Sequence, residues 1–152
     1  LSPFLHTNKH FDNMKKATKL RVCNRVLVAL TVLMLASGLQ LEIDGNAGAV
    51  PVWLHIMLGV VYATGVVLHV YLHFGWRMTV SKFRKLKSPV TRILAVIWVV
   101  TTLTGIVAAM PWIAHGLHTG IGGWHGKIGF AFIIIAAGHT LKRKSYLHRK
   151  RA

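Results

Sequence analysis

Carboxylates are nearly missing from this chain. Asp12, Glu42 and Asp44 are its only acidic residues, against nineteen Lys and Arg, and none follows residue 44. Paired-carboxylate acid–base catalysis, carboxylate cages for hard cations and the Asp/Glu relays of proton pumps are therefore excluded from everything beyond that point. Cysteine is as scarce. Cys23 stands alone, which rules out an internal disulfide, a Cys-ligated iron–sulfur cluster and C-x-x-C-H haem attachment within these residues. No G-x-G-x-x-G strand–helix unit is present, so a self-contained ferric or superoxide-type reductase lacks its nucleotide or flavin site. Of the side chains that hold cofactors, histidine remains, and there are ten.

The abundant residues are apolar ones. They make up 53% of the chain, although the formal charge is +16. In a soluble protein that charge would suggest nucleic acid. Here the basic residues fall in blocks between long apolar runs, and no nucleic-acid partner is expected. Four runs are long enough to approach or cross a bilayer: residues 26–41, 49–74, 93–113 and 121–141. The first is short against the usual ~20 residues, and Arg21 and Arg25 can snorkel to extend it.

Orientation follows from where the cations lie. Six precede the first run (Lys9, Lys15, Lys16, Lys19, Arg21, Arg25), six separate the second from the third (Arg77, Lys82, Arg84, Lys85, Lys87, Arg92) and six follow the fourth (Lys142, Arg143, Lys144, Arg149, Lys150, Arg151). Only Lys127 falls elsewhere. The positive-inside rule then puts both termini in the cytoplasm. Trp53, Trp76, Trp112 and Trp124 lie near the run ends, as interfacial aromatic belts require.

The expected architecture is an all-α membrane protein, a four-transmembrane-helix up-down bundle. Residues 1–24 form a basic segment, of which 9–21 suit either a helix lying on anionic lipid or a solvated arm. Residues 25–141 form the four-helix domain, and residues 142–152 a basic cytoplasmic tail. No cleavable signal peptide is evident.

His55 and His69, then His125 and His139, are spaced fourteen residues apart in the second and fourth runs. Fourteen helical residues rise about 21 Å in a little under four turns. Each pair thus lies near one helix face, at two depths of a hydrocarbon core roughly 30 Å thick. Runs two and four both point from outside to inside. His55 and His125 therefore share the outer depth, and His69 and His139 the inner. Two imidazoles at each depth are the donor set of two stacked, six-coordinate b-type haems, one held by His55/His125 and the other by His69/His139.

Small residues accompany them. Gly59 and Gly129 each follow an outer histidine by one turn, Gly65 precedes His69 by one, and Gly38 and Gly105 lie on the other two helices. A missing side chain there can admit a macrocycle edge, although glycine is common in membrane helix interfaces anyway. Ser37-Gly38-Leu39 and Thr104-Gly105-Ile106 form part of a weak internal repeat with the two histidine helices. An extra residue between Trp53 and His55 keeps this short of a duplication.

Lys127 can serve a haem propionate or snorkel to headgroups. His73, one turn past His69, suits an interfacial position, a propionate, a quinone head group or a replacement ligand. His115 and His118 suit an exposed loop or a quinol site, and His118 is the rival outer ligand. His6, His10 and His148 lie in basic tails.

Trp53-Leu54-His55-Ile56-Met57-Leu58-Gly59, Leu68-His69-x2-Leu72-His73-x2-Trp76-Arg77 and Gly123-Trp124-His125-Gly126 resemble the flavinylation-associated cytochrome family, small four-helix membrane proteins, over roughly residues 25–146. The histidine spacing is also similar to the haem-binding half of the cytochrome b of quinol-oxidising complexes. Both resemblances imply haem b at the two histidine pairs. The first implies a prokaryotic cytoplasmic (inner) membrane and a link to periplasmic flavin or multihaem-cytochrome partners.

The expected function is transmembrane electron transfer between a quinone pool (menaquinone or ubiquinone) and a partner such as a multihaem c-type cytochrome, flavoprotein or iron–sulfur protein. These 152 residues leave no room for a second catalytic domain, so terminal chemistry would reside in that partner. The competing expectation is a haem-free membrane scaffold that anchors a soluble redox or catalytic partner.

Overall fold

The computed structural model describes residues 3–44, 48–75 and 88–149, with side chains between 16 and 142 in those stretches. Every regular element in them is helical. In chain order they are α1 (Pro3–Asp44), α2 (Ala49–Phe74), α3 (Pro89–His115) and α4 (Gly120–Arg149). Each contains a stretch long and apolar enough to cross a membrane: Lys16–Asp44, Ala49–Phe74, Pro89–His115 and Gly120–Lys142. The chain is a multi-pass membrane protein.

The reasons for these boundaries are local. Between Phe4 and Ser37 there is neither Gly nor Pro, and Lys, Arg, Leu and Met are good helix formers. So α1 does not begin with the apolar run near residue 26; its backbone is helical back to Pro3, and residues 9–21 continue the span as one helix. At the start of α3, Pro89 takes a first-turn position and Ser88 Oγ accepts from Thr91 N–H, the usual way to satisfy an orphan donor. Gly75 and Gly116 end α2 and α3 with positive φ, each N–H reaching back to a carbonyl one turn earlier, Tyr71 and Trp112 respectively. The basic cluster between α2 and α3, with Trp76, lies outside the described residues.

Chain contacts divide the molecule into two helical hairpins, α1 with α2 and α3 with α4. In the first, the order of contacts shows antiparallel packing: Cys23 Sγ approaches the Gly65 carbonyl, Thr31 pairs with Tyr62, and Ser37 pairs with His55. Advancing along α1 runs backward along α2. In the second, Thr101 lies against Gly129 and Gly105 against the His125 ring, which gives α4 the same sense relative to α3.

Among the described residues only Cys23, Ser37 and Phe132 are buried. Much of what faces outward is aliphatic, for example Val60 at 59% exposure, Val96 at 54% and Ile134 at 71%. In water that much exposed aliphatic surface would aggregate; against lipid tails it costs nothing. The threonines inside these helices satisfy their own hydroxyls. Thr31, Thr64, Thr101, Thr102 and Thr140 each donate to the carbonyl four residues back, so these hydroxyls are satisfied within their own helices.

Candidate haem-ligand site

The four histidines singled out by spacing sit at half-buried positions of α2 and α4. On α2, His55 turns its ring toward α1. Its Nδ1 is 2.9 Å from Ser37 Oγ, and Ser37 gives its own hydroxyl proton to the Met34 carbonyl at 3.1 Å. A hydroxyl has a single proton to give. The Ser37 oxygen can accept from His55 Nδ1–H while its proton stays on the Met34 carbonyl, the tautomer that leaves the ring's lone pair on Nε2, or it can give that proton to Nδ1.

At His125 the donor arithmetic leaves one tautomer. Its Nδ1 lies 3.1 Å from the Thr101 carbonyl oxygen, which can only accept. Thr104 Oγ1 is 3.4 Å from the same nitrogen and directs its proton to the Val100 and Thr101 carbonyls at 2.9 and 3.1 Å. Here Nδ1–H is fixed and Nε2 holds the lone pair. A histidine metal ligand is built this way: one ring nitrogen donates to a fixed acceptor, and the other is thereby made basic and oriented. The donor set fits haem iron.

Glycine makes both contacts possible. A Cβ on Gly38 would meet His55 Cε1 at 3.6 Å, and one on Gly105 would meet His125 Cε1, Nδ1 and Nε2 at 2.9, 3.2 and 3.5 Å. In each hairpin the bare backbone thus receives the imidazole edge itself, within the reach of its hydrogen-bond partner. Gly59 and Gly129, one turn past the outer histidines, have as nearest neighbours Met34 Cε and Thr101 Cγ2, each at 3.9 Å. Gly65 lies where α1 comes closest, with Leu27 Cδ2 3.1 Å from its imagined Cβ.

These contacts match between hairpins residue by residue. Adding 67 to the α1 partner and 70 to the α2 partner turns Ser37–His55 into Thr104–His125, Gly38–His55 into Gly105–His125, and Gly59–Met34 into Gly129–Thr101. The repeat that is weak as sequence is regular as packing.

The other histidines divide by surroundings. His69 lies with its ring centroid 4.8 Å from that of His73, the planes tilted by 58°, and His73 in turn approaches Phe74. His115 ends α3, and His118 sits in the connection that follows; both are exposed. Lys127 Nζ lies over the Trp124 ring, 5.4 Å from its centroid. The side chains of His6, His10 and His148 lie outside the described ones. Among the described residues no three His, Cys, Asp or Glu side chains converge as a metal cage.

Spacing did not single out Ser37, Thr101 and Thr104 as orienting groups. The available signal was a hydroxyl immediately before glycine on each helix lacking paired histidines. Comparison with protein-family models, with curated proteins and with solved structures finds no match for this chain.

Proposed function

We propose that this chain is a di-haem b-type cytochrome subunit that carries electrons across a membrane, exchanging them between the quinone pool and a partner redox protein. One observation carries the reading. His55 and His125 each place Nδ1 against an oxygen of the adjacent helix at matched positions, and at His125 that oxygen is a carbonyl, so Nδ1–H is committed and the lone pair is on Nε2. A histidine that merely filled a helix interface would not need this at matched positions of two hairpins. Nor would it need a second histidine fourteen residues deeper on each helix.

His55 and His125 would hold the outer haem, His69 and His139 the inner one. The haem supplies reversible one-electron transfer at a low-spin, six-coordinate iron. The chain supplies the rest. Ser37 would hold the His55 ring in place, and the Thr101 carbonyl would fix the tautomer and orientation of the His125 ring. Gly38 and Gly105 let those rings lie against the neighbouring helix, and Gly59 and Gly129 keep the next turn bare. Lys127 offers a cation for a propionate at the outer level. Aliphatic helix surfaces limit access of water.

The cation distribution supports cytoplasmic placement of both termini. The resemblance to flavinylation-associated cytochromes supports a prokaryotic cytoplasmic membrane. It also supports a redox partner of the multihaem c-type, flavoprotein or iron–sulfur kind, with menaquinone or ubiquinone as the small-molecule partner. Reporter fusions check the orientation: alkaline phosphatase is expected to be inactive at either terminus and active in the connection near residue 117. Activity at either terminus overturns the assignment.

The test of the reading is a reduced-minus-oxidised absorption spectrum of purified protein, with haem and protein quantified on one sample. Two non-covalent b haems per chain support it. Absence of haem after expression with ample haem supply overturns it and favours the haem-free scaffold. A finer test is Ser37→Ala, which removes the hydrogen-bond partner of His55 Nδ1 but no ligand. It is expected to weaken retention of the outer haem by about 10-fold or more, with Ser37→Thr restoring it. Equal haem retention in Ser37→Ala would show that the hydroxyl orients nothing.

A further inference from the structure

Tyr62 is seven residues from His55 and seven from His69; Phe132 is seven from His125 and seven from His139. Seven helical residues rise about 10 Å and return to within ~20° of the starting direction. Each aromatic therefore stands on the histidine-bearing face of its own helix, midway between the two ligand levels. Both also obey the offset of 70 that relates the hairpins.

Two observations independent of spacing mark these positions. Phe132 is only 6% exposed, on a helix whose apolar residues otherwise largely face outward. The Tyr62 hydroxyl pairs with Thr31 Oγ1 at 3.4 Å, and Thr31 is itself tied to the Leu27 carbonyl at 2.7 Å. The phenol is thereby anchored to α1, and its ring has a fixed place in the first hairpin.

We infer that Tyr62 in the first hairpin and Phe132 in the second are aromatic spacers, each filling its own hairpin at the level between its two histidines and keeping that level dry. The inference rests on the haem reading above. They are positioning residues, since neither is a ligand. Their effect follows from location: a group equally distant from both levels acts on both. Water or an added dipole at the midplane favours the more positive, oxidised form of each iron, because burial and low dielectric are among the levers on haem potential. Opening the layer should lower both potentials together.

The experiment is an equilibrium redox titration of the full chain in lipid nanodiscs, with haem content measured on each sample. Tyr62→Ala and Phe132→Ala are expected to keep two haems and to lower both midpoint potentials by similar amounts. Phe132→Leu, which keeps the layer filled and apolar, is expected to leave both in place. Should Phe132→Ala fail to fold, Phe132→Tyr keeps the ring, adds a hydroxyl and is expected to lower both. Two haems with neither potential moved, or only one, overturns the spacer assignment alone. A wild-type protein without haem overturns the haem reading itself.

Discussion

Alanine at His55 or at His125 is expected to cut the haem content of the purified chain from two to at most one. On the proposed di-haem reading the group would be held without covalent attachment, because the chain offers no paired cysteines for it. Retention would then depend on two imidazole ligands and on packing, and removing one imidazole would leave one ligand and a cavity the size of the lost ring. The remaining ring would be held in place by its contact with Ser37 or with the Thr101 carbonyl. The reduced-minus-oxidised spectrum should lose one component, and the residual haem should titrate as a single one-electron centre. His118→Ala is the control. That residue shares the approximate face of His125 and lies seven residues before it, but is exposed in the α3–α4 connection. It should keep both haems. Two haems in His125→Ala together with loss in His118→Ala would reassign the outer ligand.

Gly105→Ala is expected to cost more than a methyl group ordinarily does, and Gly38→Ala to cost little. The two glycines occupy matched positions, so the contrast isolates one variable. At Gly105 the new Cβ would stand 2.9 Å from His125 Cε1 and 3.2 Å from Nδ1, inside van der Waals contact. The ring can retreat only by leaving the Thr101 carbonyl. That trades overpacking, about 1–3 kcal/mol, against an unmet buried donor of similar cost. Either choice disturbs the tautomer and aim of Nε2. The outer haem should dissociate roughly 10–100-fold more readily. At Gly38 the nearest atom of His55 is 3.6 Å away, an ordinary contact that a methyl group can make. Haem retention in Gly105→Ala equal to that in Gly38→Ala would mean that the His125 ring is not confined as described.

How far the sequence could be read depended on which physics set each feature. Four apolar runs gave four helices because length and hydropathy are properties of single segments. Two of the expected spans, 49–74 and 121–141, agree with α2 and the candidate span of α4 to within a residue. The start of α1 was not legible from hydropathy, since leaving an apolar environment does not stop a helix. A stop needs a breaker, and none lies between Phe4 and Ser37. The histidine spacing was legible because helical periodicity fixes which residues share a face.

What each imidazole touches was not legible in the same way. A serine before a glycine is common in membrane helices, and its value here depends on which residue of the next helix comes opposite. That register is set by packing of Gly65 against Leu27 and of Gly129 against Thr101, contacts between residues 28 or more positions apart. The chain by itself determined its helices and which of its histidines share a helix face, because each is local along the chain. Only the tertiary structure decided the partners of His55 and His125 and the matched construction of the two hairpins, because a hydrogen bond between helices exists only once their backbones have closed to a fixed register.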